Sequence, residues 1–141
     1  MSSIGSLERR IAKLREEIAI LERERDLCEQ FIDIVRRGIE HNRFEFERRR
    51  SVTRTVEGMQ DRASFAHKLE ARLLKNYNNI TEGKINSAEN SMLNKAYARI
   101  EAINESISEK RDEISSLEHE IERIREAERE RERERERERA V

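Results

Sequence analysis

SVTRTVEGMQDRASF, residues 51–65, separates two long heptad stretches, and its reading decides how the chain folds. Val52, Thr53, Thr55 and Val56 are β-branched and lose χ1 freedom against the preceding helical turn, which makes them poor helix formers. Gly58 tolerates positive φ and is the only Gly between positions 39 and 82. Phe65 restarts the apolar stripe. A reversal is therefore expected at about 51–60, between a helix of about 4–49 and a second of about 62–125.

Upstream, Ile4, Leu7, Ile11, Leu14, Ile18 and Leu21 step by three and four alternately, which puts them on one face of a helix. The same register continues through Cys28, Ile32, Val35, Ile39, Asn42 and Phe46. Leu27, Phe31 and Ile34 widen the stripe between 27 and 35, the mark of a second packing neighbour. Downstream, Leu69, Leu73, Tyr77 and Ile80 extend a stripe from Phe65. The Asn-rich segment 76–90, which contains Gly83, predicts a kink or a looser turn. From Leu93 the heptad is strong again, through Ala96, Ile100, Ile103, Ile107, Ile114, Leu117, Ile121 and Ile124. Residues 126–139 are an almost unbroken Glu-Arg alternation, and the charged tail 126–141 is expected to be a frayed helix or disordered.

Composition agrees with a coiled coil. Of 141 residues 43 % are charged and 4 % aromatic, too few apolar groups for an ordinary core but enough for a narrow seam. The chain has no Pro, which an interior helix position tolerates at a cost of about 3 kcal/mol. The fold class read from these patterns is all-α: a long antiparallel two-helix hairpin over 1–125 with a charged C-terminal tail. An apex near 54 would set Ile4 against about residue 104 and give a rod of roughly 70–75 Å at 1.5 Å rise per residue. In that register Ile107, Ile114, Leu117, Ile121 and Ile124 overhang helix one and form a partner-binding seam. At ~1.5–3 kcal/mol each, their burial is worth roughly 7–15 kcal/mol. A kink at 76–90 that folds this part back into a three-helix arrangement is the alternative.

The residues give little support to catalysis. His41, His67 and His119 have no metal-ligand spacing with one another or with Cys28, and no Gly-rich phosphate loop is present. His41 and His67 would meet across a hairpin with its apex at 54. Cys28 sits on the stripe as a small hydrophobe. Arg48, Arg49, Arg50 and Arg54 are interleaved with Glu45, Glu47 and Glu57, and the net charge is −1, so neither nucleic acid nor an anionic membrane is an expected partner. No apolar run approaches the ~20 residues of a membrane span. MSSIGSLERR has no basic region followed by an apolar block, so a cleaved secretory signal peptide is not expected there. No catalytic residue, cofactor, metal or small-molecule substrate is expected.

Val56-Glu57-Gly58 occupies the position of the Trp-x-Gly turn of small helical-hairpin proteins of the WXG type, which the type VII secretion pathway exports. Phe65 follows seven residues on, Cys28 falls in ERDLCEQF, and INSAENSMLNKAYARIEAINESISEKRDEISSLEHEI closes the pattern. Over residues 4–125 the chain resembles the YwqH-like partners of LXG toxins, with Val56 in place of the Trp. The resemblance implies a non-enzymatic accessory that pairs side by side with a toxin's helical N-terminal domain and helps present it for secretion. It also implies a cytoplasmic protein, itself a candidate for type VII export. Tyr97 and Glu101 match the Tyr-x-x-x-Asp/Glu spacing of such export signals. A homodimeric structural or scaffolding coiled coil with no secretion role is the alternative.

Overall fold

The computed structural model describes residues 3–59 and 65–140. Two helices, α1 (Ile4–Met59) and α2 (Phe65–Ala140), pack against each other as an antiparallel hairpin. Ser3 caps α1: its Oγ accepts from the Ser6 N–H at 3.1 Å, satisfying one of the donors a helix start leaves free. Glu, Arg, Lys, Leu and Ala are strong helix formers and supply most of both helices.

Three boundaries differ from those read in the sequence. First, α1 does not end near 49; it continues through 51–59, so Val56 and Gly58 are helical. The hydroxyls of Thr53 and Thr55 donate to the carbonyls of Arg49 and Ser51, at 2.9 and 3.0 Å, and so stay compatible with the helix. Arg50 pairs with Glu47, and Arg48 with Glu45, one turn apart. Residues 60–64 and the side chains of Val56, Phe65 and His67 lie outside the described residues.

Second, α2 is unbroken across 76–90. Asn78, expected to loosen the chain there, donates instead to Thr53 Oγ1 at 3.2 Å. Third, 126–140 continues α2 as helix, beyond the boundary expected at 125. Arg129 pairs with Glu122 at 2.7 Å, and Arg137 and Arg139 place positive charge at the C-terminal end of the helix dipole.

The hairpin divides into two units. The first joins the chain up to Asp26 with the chain from Ile100 onward; the second is Leu27–Arg99. In the first unit the seam is apolar. Leu14 and Ile103 are each 1 % exposed, and Ile18 and Ile107 are buried. Leu7, Ile11 and Ile121 form a cluster against which Ile4, Ile114, Leu117 and Ile124 pack. This overturns the expected register: Ile4 lies with Ile121 and Ile124, not near 104. The five-residue overhang therefore does not exist, because α1 itself covers it. Ion pairs flank the seam: Arg10–Glu113 at 3.1 Å, Arg15–Glu118 at 3.3 Å, Arg125–Glu8 at 3.3 Å and Arg111–Glu22 at 3.2 Å. Exposed pairs of this kind are worth about 0–1 kcal/mol each, so they select the register more than they hold it.

In the second unit the seam is polar and thin. Ile32, Phe46, Ala71 and Ala96 are buried, but so are Thr53 and Glu89. Asn42 donates to Glu89 at 2.6 Å, and Arg50 to Glu82 at 2.6 Å. The stripe expected from Leu69, Leu73, Tyr77 and Ile80 is displaced: all four are exposed, and Ala71, Asn78, Glu82, Ile85 and Glu89 face α1 instead.

Candidate partner-binding surface

Of the large apolar side chains that the second unit leaves exposed, Leu27, Phe31, Ile34, Val52, Leu74, Tyr77 and Met92 share one side, while Phe44, Leu69, Leu73, Ile80 and Tyr97 lie elsewhere. On α1, Leu27, Phe31 and Ile34 stand beside half-buried Cys28, buried Ile32 and half-buried Val35, one residue earlier in each case. This second stripe is the widening visible in the sequence, and α2 does not cover it: Leu27 and Ile34 are each 64 % exposed.

Two shallow grooves between the helices run along this side. One is lined by Leu27, Cys28, Phe31, Met92, Lys95 and Ala96. The other includes Arg49, Val52, Leu74 and Tyr77. Phe31 and Val52 are three heptads apart, and so are Leu74 and Lys95, which puts both grooves on the same side of the unit. The opposite side is polar. There Arg50 and Glu82 join Arg43 and Asn86 around a third groove, and the Arg36 guanidinium sits 5.7 Å from the Tyr97 ring centre while donating to its hydroxyl. Unit two is thus two-faced: one side hydrogen-bonded within the chain, the other apolar and open to solvent.

The sequence-derived sites fall as follows. Ile107 and Ile121 are buried and Ile114, Leu117 and Ile124 half-buried in the intrachain seam of the first unit, so none is a free docking surface. Cys28 is half-buried and forms part of the Leu27–Phe31–Met92 groove. Tyr97 is on α2 in the second unit, and Glu101, also on α2, is exposed in the first. His41 and His119 are both exposed, and Asn42 is engaged with Glu89, so His41 sits beside that contact rather than opposite position 67. Among the described residues no cluster of three or more His, Cys, Asp or Glu is placed to hold a metal ion. No helix among them is long and apolar enough to cross a membrane. Sequence spacing flagged the Leu27–Phe31–Ile34 stripe but missed its continuation over Leu74, Tyr77 and Met92. Those residues belong to a stripe only once the seam is known to run through Ala71 and Asn78.

Compared with family models, curated proteins and solved structures, the chain matches none.

Proposed function

We propose that this chain is a non-enzymatic binding protein that holds a helical partner protein, and that the partner is the helical N-terminal domain of an LXG-type toxin handled by type VII secretion. The observation that carries the binding role is the Leu27–Phe31–Ile34 stripe, which has the spacing of a packing seam and is left 43–64 % exposed. Exposed apolar patches rimmed by polar residues are characteristic of protein-interaction sites. The choice of toxin rests on the resemblance around Val56-Glu57-Gly58, Cys28 and Phe65. Within this reading the protein acts in the cytoplasm and delivers the toxin domain to the secretion machine, with Tyr97 and Glu101 as its own export signal.

Co-expression with such a toxin domain tests it. A 1:1 complex by light scattering, with the toxin domain insoluble when expressed alone, is the expected result. A chain that remains a homodimer and ignores the toxin domain would make it a scaffolding coiled coil instead.

A further inference from the structure

We infer that the apolar side of the second unit seats one helix of a different protein, and that this helix carries an apolar stripe flanked by Asp or Glu. The inference rests on the proposed binding role and adds the surface, the occupant's chemistry and a point of close approach.

Area comes first. Leu27, Phe31, Ile34, Val52, Leu74, Tyr77 and Met92 are 40–65 % exposed. At about 100 Å² of exposed surface per side chain they offer roughly 600–800 Å², one partner's share of a standard interface of about 800 Å² a side. The surface is two apolar patches on one side, Leu27–Phe31–Ile34–Met92 and Val52–Leu74–Tyr77, with Gly38 and Lys84 between them, so one long helix is needed to reach both.

Charge decides the occupant. Arg48 and Arg49 border the Val52–Leu74–Tyr77 groove, and Lys95 borders the Leu27–Phe31–Met92 groove. Lys84 lies seven residues after Tyr77 and eleven before Lys95, on the same face of α2. The carboxylates on this side are Glu45, which pairs with Arg48 at 3.9 Å, and Glu70, seven residues before Tyr77. Cations outnumber carboxylates around the apolar strip. A second copy would meet this surface with its own, because a two-fold interface is self-complementary, and would bring like charges together. A helix with acidic flanks meets them with opposite charge.

Gly38 marks where that helix comes nearest. It follows Phe31 by seven residues and Ile34 by four, so it continues the same stripe on α1. A Cβ added there would meet nothing within 4 Å. No intrachain contact requires a glycine, although mid-helix Gly costs about 1 kcal/mol relative to Ala. A second helix packing closely at this point gives the missing side chain a use.

The test uses the full chain and two synthetic four-heptad helical peptides with the same Leu stripe, one flanked by Glu and one by Lys. Fluorescence anisotropy should show binding of the Glu-flanked peptide, weakening as salt is raised. Phe31→Asp with Ile34→Asp should weaken it at least tenfold with helicity by circular dichroism unchanged. Gly38→Gln should raise the melting temperature and still weaken binding. Lys84→Glu with Lys95→Glu should shift preference towards the Lys-flanked peptide. Equal binding of both peptides, binding of neither, or a homodimer of the chain alone that Phe31→Asp with Ile34→Asp dissociates would each overturn the inference. A toxin-domain complex that survives Phe31→Asp with Ile34→Asp would overturn this surface while sparing the proposed function. Selective peptide binding without any toxin-domain complex would spare the surface and remove the secretion assignment.

Discussion

Asn42 Nδ2 donates to Glu89 Oε1 at 2.6 Å, and Glu89 is 8 % exposed in the seam of the second unit. A carboxylate and an amide thus occupy positions where a coiled coil ordinarily places Leu or Ile. Polar groups at such positions fix register and limit alternatives at a cost in stability. The neighbouring Asn78–Thr53 contact has the same character, and no buried side-chain polar atom among the described residues is left without a partner.

Removing one member of the pair should therefore cost more than removing both. Glu89→Ala leaves the Asn42 amide without its acceptor and should lower unfolding free energy by about 1–3 kcal/mol. Asn42→Leu with Glu89→Leu should restore at least the original stability, because a packed apolar pair replaces a partly desolvated charge. Urea denaturation of the two singles and the double measures this. A double variant as unstable as the two singles summed would show that the groups act independently.

The first unit should behave as a conventional core. Ile121 is buried against Leu7 and Ile11, so Ile121→Ala should cost about 2–4 kcal/mol. Ile114→Asp with Ile121→Asp should remove most of the helical circular dichroism signal. Retained helicity would return these residues to a free surface and contradict the seam.

Gly83 lies within unbroken α2, and a Cβ there would meet nothing within 4 Å. Gly83→Ala should raise stability by up to about 1 kcal/mol. A lower melting temperature would show that the backbone there needs a conformation an L-residue resists.

Lys110 Nζ donates to Glu17 at 3.0 Å. That hydrogen bond, with the positive charges of Lys110, Arg10 and Lys13, outweighs partial desolvation and holds the Glu17 carboxyl below its ordinary value of 4.5. A carboxyl whose pKa is lower in the folded state adds stability above its unfolded pKa and loses it as pH falls through the folded one. The gap in melting temperature between the native chain and Glu17→Gln should be constant near neutrality and shrink as pH drops below about 4.5. A gap that widened with acid would exclude the assignment.

The helical class, the hairpin and the two apolar stripes were legible because Ile4 to Ile18 and Ile100 to Ile124 keep heptad spacing, but their pairing into the first-unit seam was not. The register was not legible, since heptads match one another at many offsets. The β-branched run at 52–56 pointed to an early apex, but Thr53 and Thr55 bond back to their own helix. An apex at 54 leaves Ile107–Ile124 in solvent, whereas in the hairpin α1 covers them. In the second unit apolar spacing misled outright: Leu69, Leu73, Tyr77 and Ile80 describe a good helical stripe that faces water. The extra stripe at Leu27, Phe31 and Ile34 was the one readable trace of the candidate surface.

The polar seam also sets where the hairpin opens. Local opening free energies follow buried apolar contact. Amides of the second unit, held across α1 and α2 by Asn42–Glu89, Asn78–Thr53 and Arg50–Glu82, should exchange with solvent deuterium sooner than those around Leu14 and Ile103. The part of the chain that carries the uncovered stripe is then also the part most readily parted, so an incoming helix would slow its exchange as it completes a core.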